Sequence, residues 1–222
     1  MWDNTWEKIF SSRPWGKYPG EDVVRFVARG FYKADDRSVV KLLEIGCGTG
    51  ANLWFIAREG FEVYGVDGSQ SAIDISRARL DAEVTGWKGS LAVGDILSLD
   101  FPDNYFDGVL DVEAVCCNGF EQAQLIYAEM VRVLKPGGRL YSRCFAKGTI
   151  GDETGEVLGH NTYLPAVGPM AHTGLTRFTA REDLPELLPK NLTLLEVDQV
   201  VRGVPLENPI LEWCITAEKN HG

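Results

Sequence analysis

The chain has no basic run: 22 Lys and Arg stand against 32 Asp and Glu, a formal charge of −10 over 222 residues. That balance argues against nucleic acid as a partner, because such binding rests on phosphate neutralisation by Lys and Arg. No apolar run is long enough to cross a bilayer, and the opening MWDNTWEKIF lacks the organisation of a signal peptide. A cytoplasmic protein with no membrane partner is expected. The five cysteines (Cys47, Cys116, Cys117, Cys144, Cys214) show no C-x-x-C or zinc-finger spacing, so no metal site is expected. They are read as reduced, mostly buried thiols. Nor is there an internal repeat. A small molecule is the substrate class that remains.

What is present is a 45% hydrophobic composition, enough for one sizeable core. VVKLLEIG (39–46) reads as a strand buried on both faces, and ANLWFIARE as a helix closed by Gly60. FEVYGVD is a second strand. SQSAIDISRARLDAEV is a helix with Ser71 and Asp74 spaced as a capping box. SLAVGD and YFDGVLDV are the third and fourth strands, EQAQLIYAEMVRVL a helix ended by KPGG, and RLYSRCF the fifth strand. Strand alternating with helix over 39–145 predicts a doubly wound parallel sheet. NLTLLEVDQVV and PILEWCITAEK are separated by a connection too short for a helical crossover, so they should pair antiparallel at the sheet's edge.

Gly46, Gly48 and Gly50 follow the first strand and must hold a ligand against bare backbone. Gly46-Cys47-Gly48-Thr49-Gly50-Ala51 fits G-x-G-x-x-A, and Asp67 ends the second strand, so a dinucleotide and an NAD(P)-dependent oxidoreductase compete. Four features oppose hydride chemistry. Glu44 lies two residues before the first glycine, where a carboxylate repels pyrophosphate and suits a cation. Asp95 follows the third strand with Ile96 and Leu97 behind it, an acceptor for an adenine amino group beside an apolar wall. RVLKPGGRL leads into the fifth strand. No Tyr has a Lys four residues on.

At these residues the chain resembles the class I S-adenosylmethionine-dependent methyltransferases. LLEIGCGTG looks like that family's first motif, VYGVDGS its second, GDILSLDFPDNYFDGVLD its third and fourth, and EMVRVLKPGGRL the approach to strand five. The resemblance implies a seven-stranded, mostly parallel α/β Rossmann-like sheet with an antiparallel C-terminal strand, in three α/β/α layers. It implies S-adenosylmethionine as cofactor, S-adenosylhomocysteine as product, and a small-molecule methyl acceptor. By position, Gly46, Cys47, Gly48 and Gly50 would let backbone approach the amino-acid half of the cofactor, with Glu44 nearby. Asp67 would take the ribose hydroxyls beside Gly68, Asp95 and Ile96 the adenine, and Asp111 the methionine part or the sulfonium. Each has a plainer reading: glycines for a tight turn, Asp67 as a turn residue, Asp95 as a loop cap.

One domain over 1–222 is expected, with 1–38 a helical lid, 39–145 the cofactor core, 146–178 an insertion on the substrate side, and 179–218 a helix and hairpin. In the lid, Trp15 and Tyr18 are candidates, Tyr18 for the methionine carboxylate. The alternative is that the aromatics, Trp2 and Trp6 above all, only anchor a helix. His160, Tyr163 and His172 in the insertion are candidate bases, or idle loop residues. Thr179 reads as a helix N-cap with Asp183 nearby. Cys116-Cys117 would suit a soft metalloid acceptor or simply pack. No Asp/Asn-Pro-Pro-aromatic follows strand four, so a nucleic-acid methyltransferase is disfavoured, as is a protein methyltransferase for want of a recognition domain. Transfer to oxygen or nitrogen by direct displacement is the expected activity, with a non-catalytic cofactor-binding regulator as the other alternative.

Overall fold

The computed structural model describes residues 4–203 and 207–221. Trp2 lies outside them. Five strands and their helices alternate first: β1 (Lys41–Ile45), α3 (Ala51–Arg58), β2 (Glu62–Asp67), α4 (Gln70–Glu83), β3 (Gly89–Val93), β4 (Phe106–Val112), α5 (Phe120–Val133) and β5 (Leu134–Phe145). Two helices precede them, α1 (Thr5–Ser12) and α2 (Glu21–Phe31). After them come β6 (Glu156–Gly159), β7 (Thr162–Leu164), β8 (Thr176–Arg177), the short α6 (Leu184–Leu187), β9 (Leu192–Arg202) and β10 (Ile210–Lys219). The main sheet has seven strands in the order β3-β2-β1-β4-β5-β10-β9. β1 to β5 pair parallel, and β10 is antiparallel to both its neighbours. The hairpin was expected at the edge; more closely, its second strand is inserted beside β5 and its first forms the edge.

β1 is central because it carries no surface to spare: Leu42, Leu43 and Ile45 are fully buried. Burying one such side chain stabilises the fold by about 1.5–3 kcal/mol. Leu42 packs with Val23, Phe26, Leu53, Ile56 and Leu80 on the α2/α3/α4 face. Leu43 and Ile45 pack with Phe106, Ile126, Met130 and Leu187 on the α5/α6 face. These are the two outer helical layers. Among the described residues no helix is long and apolar enough to cross a membrane.

Three local expectations are corrected. The cap of α4 is Ser69, whose Oγ accepts from the Ala72 amide at 3.1 Å. Ser71 and Asp74 do not form a box; Asp74 accepts from Gln70 one turn back. Thr179 is no N-cap but bridges Ala146, and the helix after it is a single turn opened by Asp183, whose Oδ2 accepts from the Ala180 amide. Segment 146–178 carries a separate three-stranded antiparallel sheet, β6-β7-β8. KPGG becomes a bulge: Phe106 pairs with Leu134 and Gly108 with Arg139, leaving Lys135–Gly138 opposite one residue. Lys135 closes it on Asp107 at 2.7 Å.

Candidate active site

A pocket of about 480 Å³ opens at the carboxyl ends of β1, β2 and β4, the position that open α/β sheets use for ligands. Its floor is the loop after β1. Gly46 has φ +58, and a Cβ there would stand 2.2 Å from the Ala114 methyl. Gly50 has φ +77, and its Cβ would meet Ser76 Oγ at 2.0 Å. Only glycine fits either place, so backbone rather than side chain faces the ligand.

Asp67, at the end of β2, accepts from the Gly48 amide through Oδ2 and from the Ser69 amide through Oδ1, both at 2.8 Å. It thereby ties the glycine loop to β2, and each oxygen keeps a lone pair. Burial raises its pKa against those two bonds. Glu44 is 2% exposed. Its Oε1 accepts from Asn52 Nδ2 at 2.5 Å, while Oε2 is buried with no partner. Desolvation, reinforced by the charges of Asp111 and Asp67, pushes its carboxyl up to about 8. A buried carboxyl with an orphaned oxygen in a pocket wall is a receptor for a cation. At the other end Asp95 Oδ1 accepts from the Leu97 amide at 2.9 Å, and Ile96 and Leu97 supply the apolar wall.

Over the pocket lies α1. Trp6 stacks on Phe10 at 5.6 Å, Trp15 meets both edge-on, and all three line the cavity. Glu7 fastens this plate: it accepts from the hydroxyls of Ser69 and Ser71, each at 2.5 Å, and from the Ser71 amide at 3.2 Å. Those hydroxyl bonds hold its carboxyl below the usual range. The contact sits at the positive end of α4. Tyr18 also lines the pocket, edge-on to Trp54 at 5.5 Å.

The structure therefore gathers Tyr18, Glu44, Gly46, Cys47, Gly48, Asp67, Gly68, Asp95 and Ile96 into one wall, with Gly50 directly behind it. Four expectations fail. Asp111 faces away: Oδ1 accepts from the amides of Ala114 and Val115, and Oδ2 from Ser142 Oγ at 2.6 Å. Ser142 also meets the Tyr127 hydroxyl at 2.8 Å. Burial raises Asp111 to about 6 against these bonds, and it is a packing residue of the α5 side. His160 is outside the pocket wall, its Nε2 2.8 Å from Asp183 and its ring edge-on to Phe120. Tyr163 is buried against Phe178. His172 is an exposed turn residue with φ +64. The base expected from the insertion is not there; Thr173 and Leu175 are what it contributes.

The sequence reading missed Glu113, Arg143 and Asn52, all in the wall. Arg143 was detectable, since a charged residue within an otherwise apolar strand is rare without a partner. It has five carboxylate contacts from three residues: Glu212 twice at 2.7 and 2.9 Å, Glu113 at 3.2 Å and Asp22 twice at 3.4 and 3.5 Å.

These features define a Rossmann-like domain with a pocket at its strand ends, where a buried carboxyl with an unpartnered oxygen stands beside a glycine loop. Residues 43–142 match the methyltransferase-domain family. Over that stretch, a little under half of its length, the chain is similar to the class I S-adenosylmethionine-dependent methyltransferases. It is 32% identical over 136 residues to a demethylmenaquinone methyltransferase of Symbiobacterium thermophilum, covering 60% of this chain and 50% of that protein. It is 32% identical over 108 residues to a sterol 24-C-methyltransferase of Yarrowia lipolytica, 48% of this chain and 28% of that one. The chain thus spans half or less of these two relatives' length. A solved Burkholderia thailandensis 1,6-didemethyltoxoflavin-N1-methyltransferase, with its substrate and S-adenosylhomocysteine bound, superposes with a TM-score of 0.66 at 20% identity. That match covers 90% of this chain and 79% of the other, and shows the shared fold.

Proposed function

We propose that this protein transfers a methyl group from S-adenosylmethionine to a small-molecule acceptor, at oxygen or nitrogen, by direct displacement in the cytoplasm. The observation that carries the reading is the orphaned Glu44 Oε2 beside the glycine loop. When bound, the cofactor supplies an electrophilic methyl group on a sulfonium. Glu44 would receive its ammonium, Asp67 the ribose hydroxyls, Asp95 and Ile96 the adenine. Tyr18 would reach the methionine carboxylate, and α1 with the turn after it would act as the lid, α2 packing instead in the helical layer against the sheet. The lid's Trp6, Phe10 and Trp15 exclude water, which is most of what a displacement with a neutral leaving group asks of an enzyme.

The test is calorimetric titration with S-adenosylhomocysteine, and in parallel with NAD and NADP. Micromolar binding of the first alone supports the reading; binding of a dinucleotide refutes it. Asp67→Ala should weaken S-adenosylhomocysteine more than about tenfold, because charge-assisted bonds to the ribose are lost. Unchanged affinity removes Asp67 from the site.

A further inference from the structure

Just past β4 the backbone makes a turn that no glycine serves. Glu113 has φ +64 there, a conformation that side-chain-bearing residues hold only when their surroundings over-determine it. Here they do. Its amide donates to the Arg143 carbonyl at 2.8 Å, and its own carbonyl accepts from the thiols of Cys116 and Cys117, both at 3.3 Å. The constrained turn puts the Glu113 side chain, one third exposed, into the pocket wall.

Four charged groups face or adjoin it from the elements packed around. Arg143 comes from β5, Glu212 from β10, Arg202 from β9, and Asp22 from α2. Arg143 reaches Glu113, Glu212 and Asp22, while Arg202 reaches Glu212 at 2.8 Å. Three carboxylates thus share two guanidiniums. Glu113 and Glu212 sit on the same Arg143 guanidinium, at 3.2 and 2.7 Å, two carboxylates against one cation. Glu113 alone of the three carboxylates lines the pocket.

We propose that Glu113 is the general base of methyl transfer, and that the acceptor is a weakly acidic hydroxyl, phenolic or enolic. The proposal rests on the methyltransferase reading and deepens it. Glu113 takes the acceptor's O–H proton as the acceptor oxygen bonds to the methyl carbon. The sulfur–methyl bond breaks with its electron pair leaving on sulfur, giving a methyl ether and a neutral thioether. The proton on Glu113 then passes to water. A neutral amine attacks through a free lone pair and needs no base beforehand, whereas a hydroxyl oxygen is a weak nucleophile until its proton leaves. Burial, with Glu212 adding to it, raises Glu113 to about 7, where a base for neutral pH is best matched. The rings of Trp6, Phe10 and Trp15 give a flat acceptor a stacking surface.

The experiment compares wild type with Glu113→Gln and Glu113→Asp, using phenol, 4-nitrophenol (at alkaline pH, where it is ionised before it binds) and benzylamine as probes. Glu113→Gln should lower turnover of phenol by about 10²–10⁴-fold and abolish the acid limb of its pH profile. Turnover of 4-nitrophenol and S-adenosylhomocysteine affinity should hold within about threefold, and Glu113→Asp should recover part of the phenol rate. Equal losses on both phenols, or wild-type transfer to benzylamine alone, would overturn the proposal. Lost S-adenosylhomocysteine binding in the variant would instead assign Glu113 to the cofactor. A second readout needs no acceptor: the infrared difference between wild type and Glu113→Gln should show a carboxyl band titrating near neutrality. Its absence would also overturn the proposal, and leaves the cofactor reading to the calorimetry.

Discussion

Replacing Glu44 by Gln should make the empty protein more stable and its complex with the cofactor weaker. The folded-state value of Glu44 is about 8 against an ordinary 4.5, so the folded protein holds a proton that the unfolded chain releases. A carboxyl raised in this way costs nothing below pH 4.5, and destabilises progressively as pH climbs toward 8. At about 1.4 kcal/mol per pH unit, the 2.5 units between 4.5 and neutrality amount to about 3 kcal/mol at pH 7. Relaxation around the site reduces this, so a gain of about 1–3 kcal/mol is expected for Glu44→Gln at pH 7, vanishing near pH 4.5. Gln keeps the acceptor for Asn52 and replaces the orphaned oxygen by an amide, which is cheaper to bury than a charge. Urea unfolding between pH 4.5 and 8.5 measures it, the variant's curve losing up to one proton's worth of slope. Binding should move the other way, with S-adenosylhomocysteine affinity falling about 10–100-fold as a charge-assisted contact is lost. Wild type should also release a proton on binding, seen as a dependence of calorimetric heat on buffer ionisation enthalpy. An unchanged pH slope would refute the account of Glu44.

Two more perturbations separate the lid from the insertion. Glu7→Ala removes the contact that fastens α1 to α4, so amide exchange across residues 5–12 should accelerate at least about tenfold, with α4 unaffected beyond Ser71, whose amide loses its acceptor. Since the Glu7 carboxyl is held below its usual range, the same loosening should appear in wild type as pH falls through that lowered value; unchanged exchange would show that the aromatic contacts alone hold the lid. The double change His160→Ala, His172→Ala should leave methyl transfer within about twofold, while loss of the Asp183 contact costs about 1 kcal/mol of stability. A hundredfold fall in turnover at constant cofactor affinity would return one of these histidines to the site.

The glycine loop, Glu44 and Asp67 were legible because their meaning is local: each lies at a strand end whose buried run announces itself. The failure at Asp111 has a geometric cause. Glu44 pairs with Leu110, so these two share a face of the sheet, and Asp111, one residue on, points to the other. A strand's end can be read from composition, but which of two adjacent carboxylates faces the ligand depends on register. Glu113 regains the pocket only through its left-handed turn, which nothing in DVEAV signals. The histidines failed for a different reason. β6, β7 and β8 are four, three and two residues long, too short for an alternating pattern, so the path of 146–178 was hidden and its side chains with it. The antiparallel hairpin was readable from its short connection, whereas the insertion of β10 beside β5 required knowing which strand edge was still open.

That insertion bears on how the chain reaches its native state. β10 is synthesised after β9 yet lies inside it in the sheet, so β9 has no place on β5 until β10 arrives. Until then β5 presents the seven residues 139–145 as an open edge, a template for any other strand in reach. Arg143, on that strand, likewise lacks the Glu212 contacts that hold it. The glycine-loop half of the pocket is assembled from β1 to β4 and needs no strand made after them. The half built around Arg143 waits on β10, the last strand made, which makes it the late and aggregation-exposed part of folding.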